Sequence, residues 1–213
     1  MAPEYVIAVD LGQVSDFTAI AVLERREQPT GRHVLATNVR AWFDGFTDEA
    51  RYSPTPQVAG TYAITHLERL ELGTPYTAIP ERLQTITARL RHAWLTAVFE
   101  ETGGGRATLY DAPVETVIDQ TGVGRPVVDL LREAGVDPVA ITITGGDQVI
   151  RVSEREYRVP KRDLVGAVQS AMQTRRVQAA ASLPDWPVLK RELANFKARI
   201  GLNGHDSYGA GDD

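Results

Sequence analysis

Apolar and polar positions alternate or cluster in short runs, and these runs lay out the chain. Tyr5-Val6-Ile7-Ala8-Val9-Asp10 is an apolar run ending on a carboxylate, and Gly12 turns the chain after it. A second strand is predicted from Thr18 to Glu27, then a turn at Pro29-Thr30-Gly31, then a third strand from His33 to Phe43 with Trp42 and Phe43 near its end. Three strands with short connections predict an antiparallel meander. Residues 44–78 lack periodicity and hold Pro54, Pro56, Gly60, Gly73 and Pro75, so they are expected to form a long irregular insertion. His66-Leu67-Glu68-Arg69 is a mixed acidic and basic patch within it.

From Pro80 the period changes to that of a helix. Leu83, Ile86, Leu90, Trp94 and Val98 form a buried stripe, and Gly103-Gly104-Gly105 ends it. Val114-Glu115-Thr116-Val117-Ile118-Asp119 is a second apolar run ending on a carboxylate, continued by Gln120-Thr121-Gly122-Val123-Gly124. A helix starting at Pro126 turns Val127, Leu130 and Leu131 inward and stops at Gly135; a strand over 138–144 closes at Gly145-Gly146. Helices are predicted over about 161–181 and 187–199. Strand alternating with helix in the second half implies parallel pairing. The fold class is therefore α/β, a mixed sheet whose first three strands are antiparallel and whose remainder is parallel, flanked by helices. A single domain over residues 1–213 is expected.

Composition narrows the chemistry. With 43% apolar residues the chain can bury a core, and with no cysteine it forms no disulfide, thiolate metal site or cysteine nucleophile. No run has the length of a transmembrane helix, so no membrane partner is expected. The formal net charge of −5 argues against an indiscriminate nucleic-acid binder. It leaves room for a nuclease, because an acidic metal site lowers the net charge while a local basic strip holds phosphates. Lys161-Arg162, Arg175-Arg176, Lys190-Arg191 and Lys197-Ala198-Arg199 are such strips, or else solvated helix faces. Lys161 and Arg162, with nearby basic residues, are candidates for phosphate contacts.

The two strand-end aspartates carry the chemistry. Open α/β sheets place ligands at the carboxyl edge of their strands. Two carboxylates side by side there repel unless a divalent cation or a shared proton compensates. Asp10 and Asp119 are thus candidate metal ligands and catalytic carboxylates. Gly12 lets the backbone turn close to a ligand, and Asp16 and Thr18 are placed to bond a phosphate, a water or the turn itself. Gly122 and Gly124 shape a strand–turn–helix junction that gathers free N–H groups for an anion, or a tight turn capped by Asp119. The four histidines, His33, His66, His92 and His205, lack metal-ligand spacing. No Walker-type phosphate loop and no serine elbow is present.

These residues resemble the nuclease domain of the large terminase subunit of tailed phages, a member of the ribonuclease H-like superfamily. Val6-Ile7-Ala8-Val9-Asp10-Leu11-Gly12 with Asp16-Phe17-Thr18-Ala19-Ile20-Ala21-Val22 carries the resemblance, as does Val117-Ile118-Asp119-Gln120-Thr121-Gly122-Val123-Gly124. The stretch Val188 to Arg199, with Leu189, Glu192, Leu193 and Phe196, resembles the late helix of that family.

The resemblance implies a ribonuclease H-like sheet and metal-dependent endonucleolytic hydrolysis of DNA during phage or prophage genome packaging. It implies two Mg²⁺ or Mn²⁺ ions held by Asp10 and Asp119. Double-stranded DNA is the implied partner, with a separate packaging ATPase and a portal, in the cytoplasm of a bacterial host cell. The family's motor has an ATPase domain ahead of the nuclease, whereas here Met1 lies close to the first strand, which suggests a stand-alone protein or a separated domain. The family also completes its site with a late acidic motif at a final helix. Here Asp212 or Asp213 is the candidate third carboxylate, Asp213 being taken as a metal ligand, or the C-terminus is truncated before that motif. Two other readings stay open. One is an ATP-binding fragment of the actin and sugar-kinase kind, and the other is a catalytically degenerate structural module.

Overall fold

The structure, a computed structural model, describes residues 2–12, 16–37, 52–103, 107–122, 125–199 and 207–210. Strand β1, Glu4–Asp10, buries Tyr5, Ile7 and Val9 on one face, the period of two that a half-covered strand imposes. It pairs antiparallel with β2, Ala19–Thr37, and parallel with β4, Val114–Asp119. In register, Ile7 lies between Val22 and Thr116, and Val9 lies between Ile20 and Ile118. This row of buried side chains is the sheet's half of the core. Helix α1, Ile79–Thr102, contributes Ile79, Leu83, Ile86 and Trp94, with Leu90 and Val98 packed at its margin. Helix α2, Arg125–Glu133, adds Val127, Val128 and Leu131. Each fully buried aliphatic side chain of this kind stabilises the fold by about 1.5–3 kcal/mol.

The sheet continues with β3, Tyr52–Arg69; β5, Val139–Thr144; β6, Ile150–Arg151; β7, Glu156–Pro160; and β8, Val177–Ala179. Eight strands lie in the order β6-β7-β5-β4-β1-β2-β3-β8. β1, β2 and β3 are successive antiparallel neighbours, whereas the β1–β4, β4–β5, β5–β7 and β3–β8 pairings are parallel, and only the short β6 edge runs antiparallel to β7. The central order β3-β2-β1-β4-β5 with β2 reversed makes a mixed sheet, antiparallel over its first three strands and parallel over most of the rest, as expected. Two further helices follow, α3, Lys161–Gln173, and α4, Trp186–Asn195. Strands β9, Phe196–Arg199, and β10, Ser207–Ala210, form a separate antiparallel pair.

The structure corrects several expectations. Pro29-Thr30-Gly31 is not a turn, because β2 runs on through it for 19 residues in all, and His33–Thr37 belong to that same strand. Positions 29 and 33 pair with 58 and 56, so the proline and glycine are absorbed as an irregularity in the ladder, where a residue without an N–H and one without a side chain are tolerated. The rest of the predicted third strand, 38–43, lies outside the described residues. Within the supposedly irregular 44–78, residues Tyr52–Arg69 are an 18-residue strand. Its prolines hide it in the sequence, and pairing with β2 holds it in place. The predicted helix over 161–181 stops at Gln173. Arg175 takes a left-handed φ of 54° and the Arg176 N–H closes onto the Ala171 carbonyl at 2.8 Å, so the chain turns into β8. The predicted helix over 187–199 ends at Asn195, and Phe196–Arg199 is strand. Strands β6 and β7 arise in a stretch without a strand signal. Among the described residues no helix is long and apolar enough to cross a membrane.

Candidate metal and phosphodiester site

Asp10 and Asp119 end the two central parallel strands, and the register pairs them directly. Both follow a core residue, Val9 and Ile118, so alternation turns both carboxylates to the sheet face opposite the core. The same row continues through Ala19 of β2 to Arg69 of β3. One level of the sheet therefore carries Asp119, Asp10, Ala19 and Arg69 in spatial order.

The loop after β1 is closely built. Thr18 is buried at 4% exposure and its Oγ1 accepts the Gly12 N–H at 3.2 Å. A methyl group on Gly12 would stand 2.2 Å from the Asp16 carbonyl oxygen and 2.4 Å from the Phe17 carbonyl carbon. Gly12 is thus needed for close backbone approach, which keeps Asp16 beside the strand end. After β4, the Asp119 carboxylate accepts the Thr121 N–H at 2.8 Å, Thr121 Oγ1 accepts the Ile143 N–H at 2.8 Å, and Gly122 turns with a φ of 85°. These contacts orient Asp119 and tie its turn to β5. Gly124 and Asp213 lie outside the described residues.

Electrostatics follow from this crowding. Burial against the surrounding protein pushes the Asp10 carboxyl above the ordinary carboxylate range, and the charges of Asp119 and Asp16 push it further. The residue's surface opens on solvent, yet neighbouring protein displaces enough water for desolvation to lead. A group so placed favours a bound cation or a proton.

A cleft of about 600 Å³ opens over Asp10, Ala19 and Arg69 of this row and reaches Thr121 beyond Asp119. Asp10, Gly12, Asp16, Phe17, Arg69 and Thr121 line one side, and Asp185, Val188, Leu189 and Glu192, at and along α4, line the other. Glu68 also borders it and is held by Arg82, whose Nη2 donates at 2.6 Å, and by His66 at 2.7 Å. Burial raises the Glu68 pKa, but Arg82 and His66 together outweigh it and hold the carboxyl below its usual range.

Among the described residues no group of three or more His, Asp or Glu side chains is arranged to hold a metal ion. The Asp10–Asp119 pair nevertheless suits Mg²⁺ or Mn²⁺ as a donor set. These hard cations take oxygen ligands and are commonly bound by one or two carboxylates, with waters and substrate phosphates filling the other positions. Lys161 and Arg162 stand at the start of α3, beyond the end of β7 on the same sheet edge, and do not line the cleft. Arg162 bonds the Asp147 carboxylate at 2.7 Å and its carbonyl at 2.8 Å.

Of the residues expected from the sequence, Asp10, Gly12 and Asp16 line the cleft, while Thr18, Asp119 and Gly122 lie in the strand ends and turns beside it. Sequence reasoning noted Glu68, Arg69 and Glu192 without assigning them to a site, and it passed over Asp185 and the cleft face of Phe17. The mixed charge of His66-Leu67-Glu68-Arg69 was the available signal. No protein-family model matches the chain, and no curated protein is similar to it in sequence. Among solved structures it is similar to the crystal structure of the large terminase nuclease from thermophilic phage G20c, at 18% identity and a TM-score of 0.49, over 98% of this chain and 73% of that one.

Proposed function

We propose that this chain is a metal-dependent endonuclease that hydrolyses DNA phosphodiester bonds, with a terminase-like role in phage or prophage genome packaging. The observation that carries the reading is the in-register pairing of Asp10 with Asp119 at the carboxyl edge of two parallel strands, where Asp10 lines an open cleft. Asp10 and Asp119 would hold Mg²⁺ or Mn²⁺, two ions being expected. When bound, the ions supply Lewis acidity at the phosphate and activate the attacking water. The protein's part is to hold the two carboxylates in place. The Thr121 N–H orients Asp119, and the Gly12–Thr18 contact keeps Asp16 beside Asp10. The open shape of the cleft admits a polymer rather than enclosing a small ligand. Double-stranded DNA is the proposed substrate, with a separate packaging ATPase and a portal as partners.

Nicking of supercoiled plasmid tests this with the parent, Asp10→Asn and Asp119→Asn side by side, in Mn²⁺, in Mg²⁺ and in EDTA. The expected result is metal-dependent nicking by the parent and a loss of at least about a hundredfold in each variant, since these residues would hold the ions. A parent without metal-dependent nicking, or an Asp119→Asn variant as active as the parent, would overturn the proposal.

A further inference from the structure

Five carboxylate residues border the cleft, Asp10, Asp16, Glu68, Asp185 and Glu192, and Arg69 is the one basic residue among the described residues lining it. A polyanion entering such a cleft meets repulsion everywhere except at bound cations and at this guanidinium. Arg69 occupies the sheet row of the two aspartates, with only Ala19 between it and Asp10. Two strand spacings separate Arg69 from Asp10, roughly 10 Å along the row. The methyl group of Ala19 leaves the space between them open.

Arg69 already has partners, and their nature matters. Its Nη2 donates to Glu192 Oε1 at 2.5 Å, and the guanidinium lies 5.4 Å from the centroid of the Phe17 ring. Arg69 and Glu192 side chains are 38% and 49% exposed, so this is an open ion pair, a class that contributes little to stability and exchanges readily. A phosphate diester offers two oxygen acceptors that the planar guanidinium fork can engage together, whereas Glu192 takes a single bond from Nη2. The tie between β3 and α4 does not depend on the Arg69 side chain, because Asp185 Oδ2 accepts the Arg69 backbone N–H at 3.2 Å.

We infer that Arg69 is a contact for the nucleic-acid backbone, a phosphate ligand that Glu192 holds in position until substrate displaces it. The inference rests on the nucleic-acid reading of the same cleft. It adds a positioning cation on the far side of Ala19, which sets where the strand lies relative to the aspartates.

The test is fluorescence anisotropy of a labelled DNA duplex in Ca²⁺, titrated at several salt concentrations, for the parent, Arg69→Ala, Arg69→Lys and Glu192→Gln. Loss of one phosphate contact should weaken Arg69→Ala binding roughly tenfold and flatten its log–log salt slope by about 1. Arg69→Lys should fall between that variant and the parent. Glu192→Gln keeps Arg69 and removes a competing carboxylate, so it should bind several-fold tighter, and that gain should be lost when Glu192→Gln is combined with Arg69→Ala, whereas relief of simple charge repulsion would persist in the double variant. An Arg69→Ala variant with the parent's affinity and slope, a Glu192→Gln variant that binds no tighter, or a parent that does not bind duplex overturns the inference. Plasmid nicking is read separately. A parent that binds through Arg69 without cutting keeps this inference and overturns the nuclease reading, whereas a cutting parent with unaltered Arg69→Ala binding does the reverse.

Discussion

Tyr76 donates its phenolic O–H to the carbonyl oxygen of Gly12 at 2.9 Å, across 64 residues of sequence. This contact ties the turn before α1 to the loop that follows Asp10. Together with the bond from the Gly12 N–H to Thr18, it fixes both backbone groups of the same glycine. Replacing Tyr76 by Phe removes the donor and leaves the ring. The expected cost is about 1 kcal/mol of stability, the usual net value of a neutral hydrogen bond. Urea denaturation would measure this, and nicking by the variant should fall because the Asp10 loop loses one of its two restraints.

Gly12→Ala should have a larger effect on activity than on folding. The added methyl collides with backbone of Asp16 and Phe17, atoms that cannot swing aside as a side chain would. The loop must move as a unit, at a cost of about 1–3 kcal/mol typical of overpacking. Asp16 then leaves its place beside Asp10. Retained far-ultraviolet circular dichroism with reduced Mn²⁺-dependent nicking is the expected outcome, and full activity would show that the loop conformation is not needed.

Asp10 makes a prediction about pH. Its folded-state pKa is raised by burial and by Asp119 and Asp16, so the native state binds the proton more tightly than the unfolded state. Stability contributed by the protonated form is therefore present at low pH and is lost as pH rises from the ordinary carboxylate pKa through the raised one. At neutral pH and without metal, Asp10→Asn should be more stable than the parent, and the difference should shrink on acidification through that window. Mn²⁺ should raise the Tm of the parent and leave that of Asp10→Asn nearly unchanged. Thermal melts across pH, with and without Mn²⁺, read both effects.

Glu68 behaves in the opposite sense. Its folded pKa is lowered because Arg82 and His66 outweigh the effect of burial, so its contribution is present above the ordinary carboxylate pKa and is lost as pH falls through the lowered one. Arg82 binds it through both Nε and Nη2. Arg82→Ala should cost roughly 1–3 kcal/mol at neutral pH, the range for hydrogen bonds to a charged group. The difference from the parent should narrow in acid. A cost that does not vary with pH would mean that Arg82 acts through packing of its stem rather than its charge.

The strands that end on Asp10 and Asp119 were readable because Tyr5 to Val9 and Val117-Ile118 are apolar runs that each end on a carboxylate followed by a glycine turn. The stripe of α1 was readable from apolar residues at the helical period. The β2–β3 ladder was not. Pro29, Gly31, Pro54 and Pro56 are local signals against regular strand, and pairing between the two strands overrides them. Helix ends were also misplaced, since what stops α3 is the turn at Arg175 that lets β8 join the edge of β3.

The sequence by itself determined the kinds of element in the core and the two carboxylates that their ends expose, because alternation and apolar runs are written in neighbouring residues. Only the tertiary structure decided that these carboxylates stand in one row with Ala19 and Arg69 and that Glu192, 123 positions away, meets that arginine. Strand order and register set those distances, and both come from how the whole sheet packs on its helices, which short-range pattern does not encode.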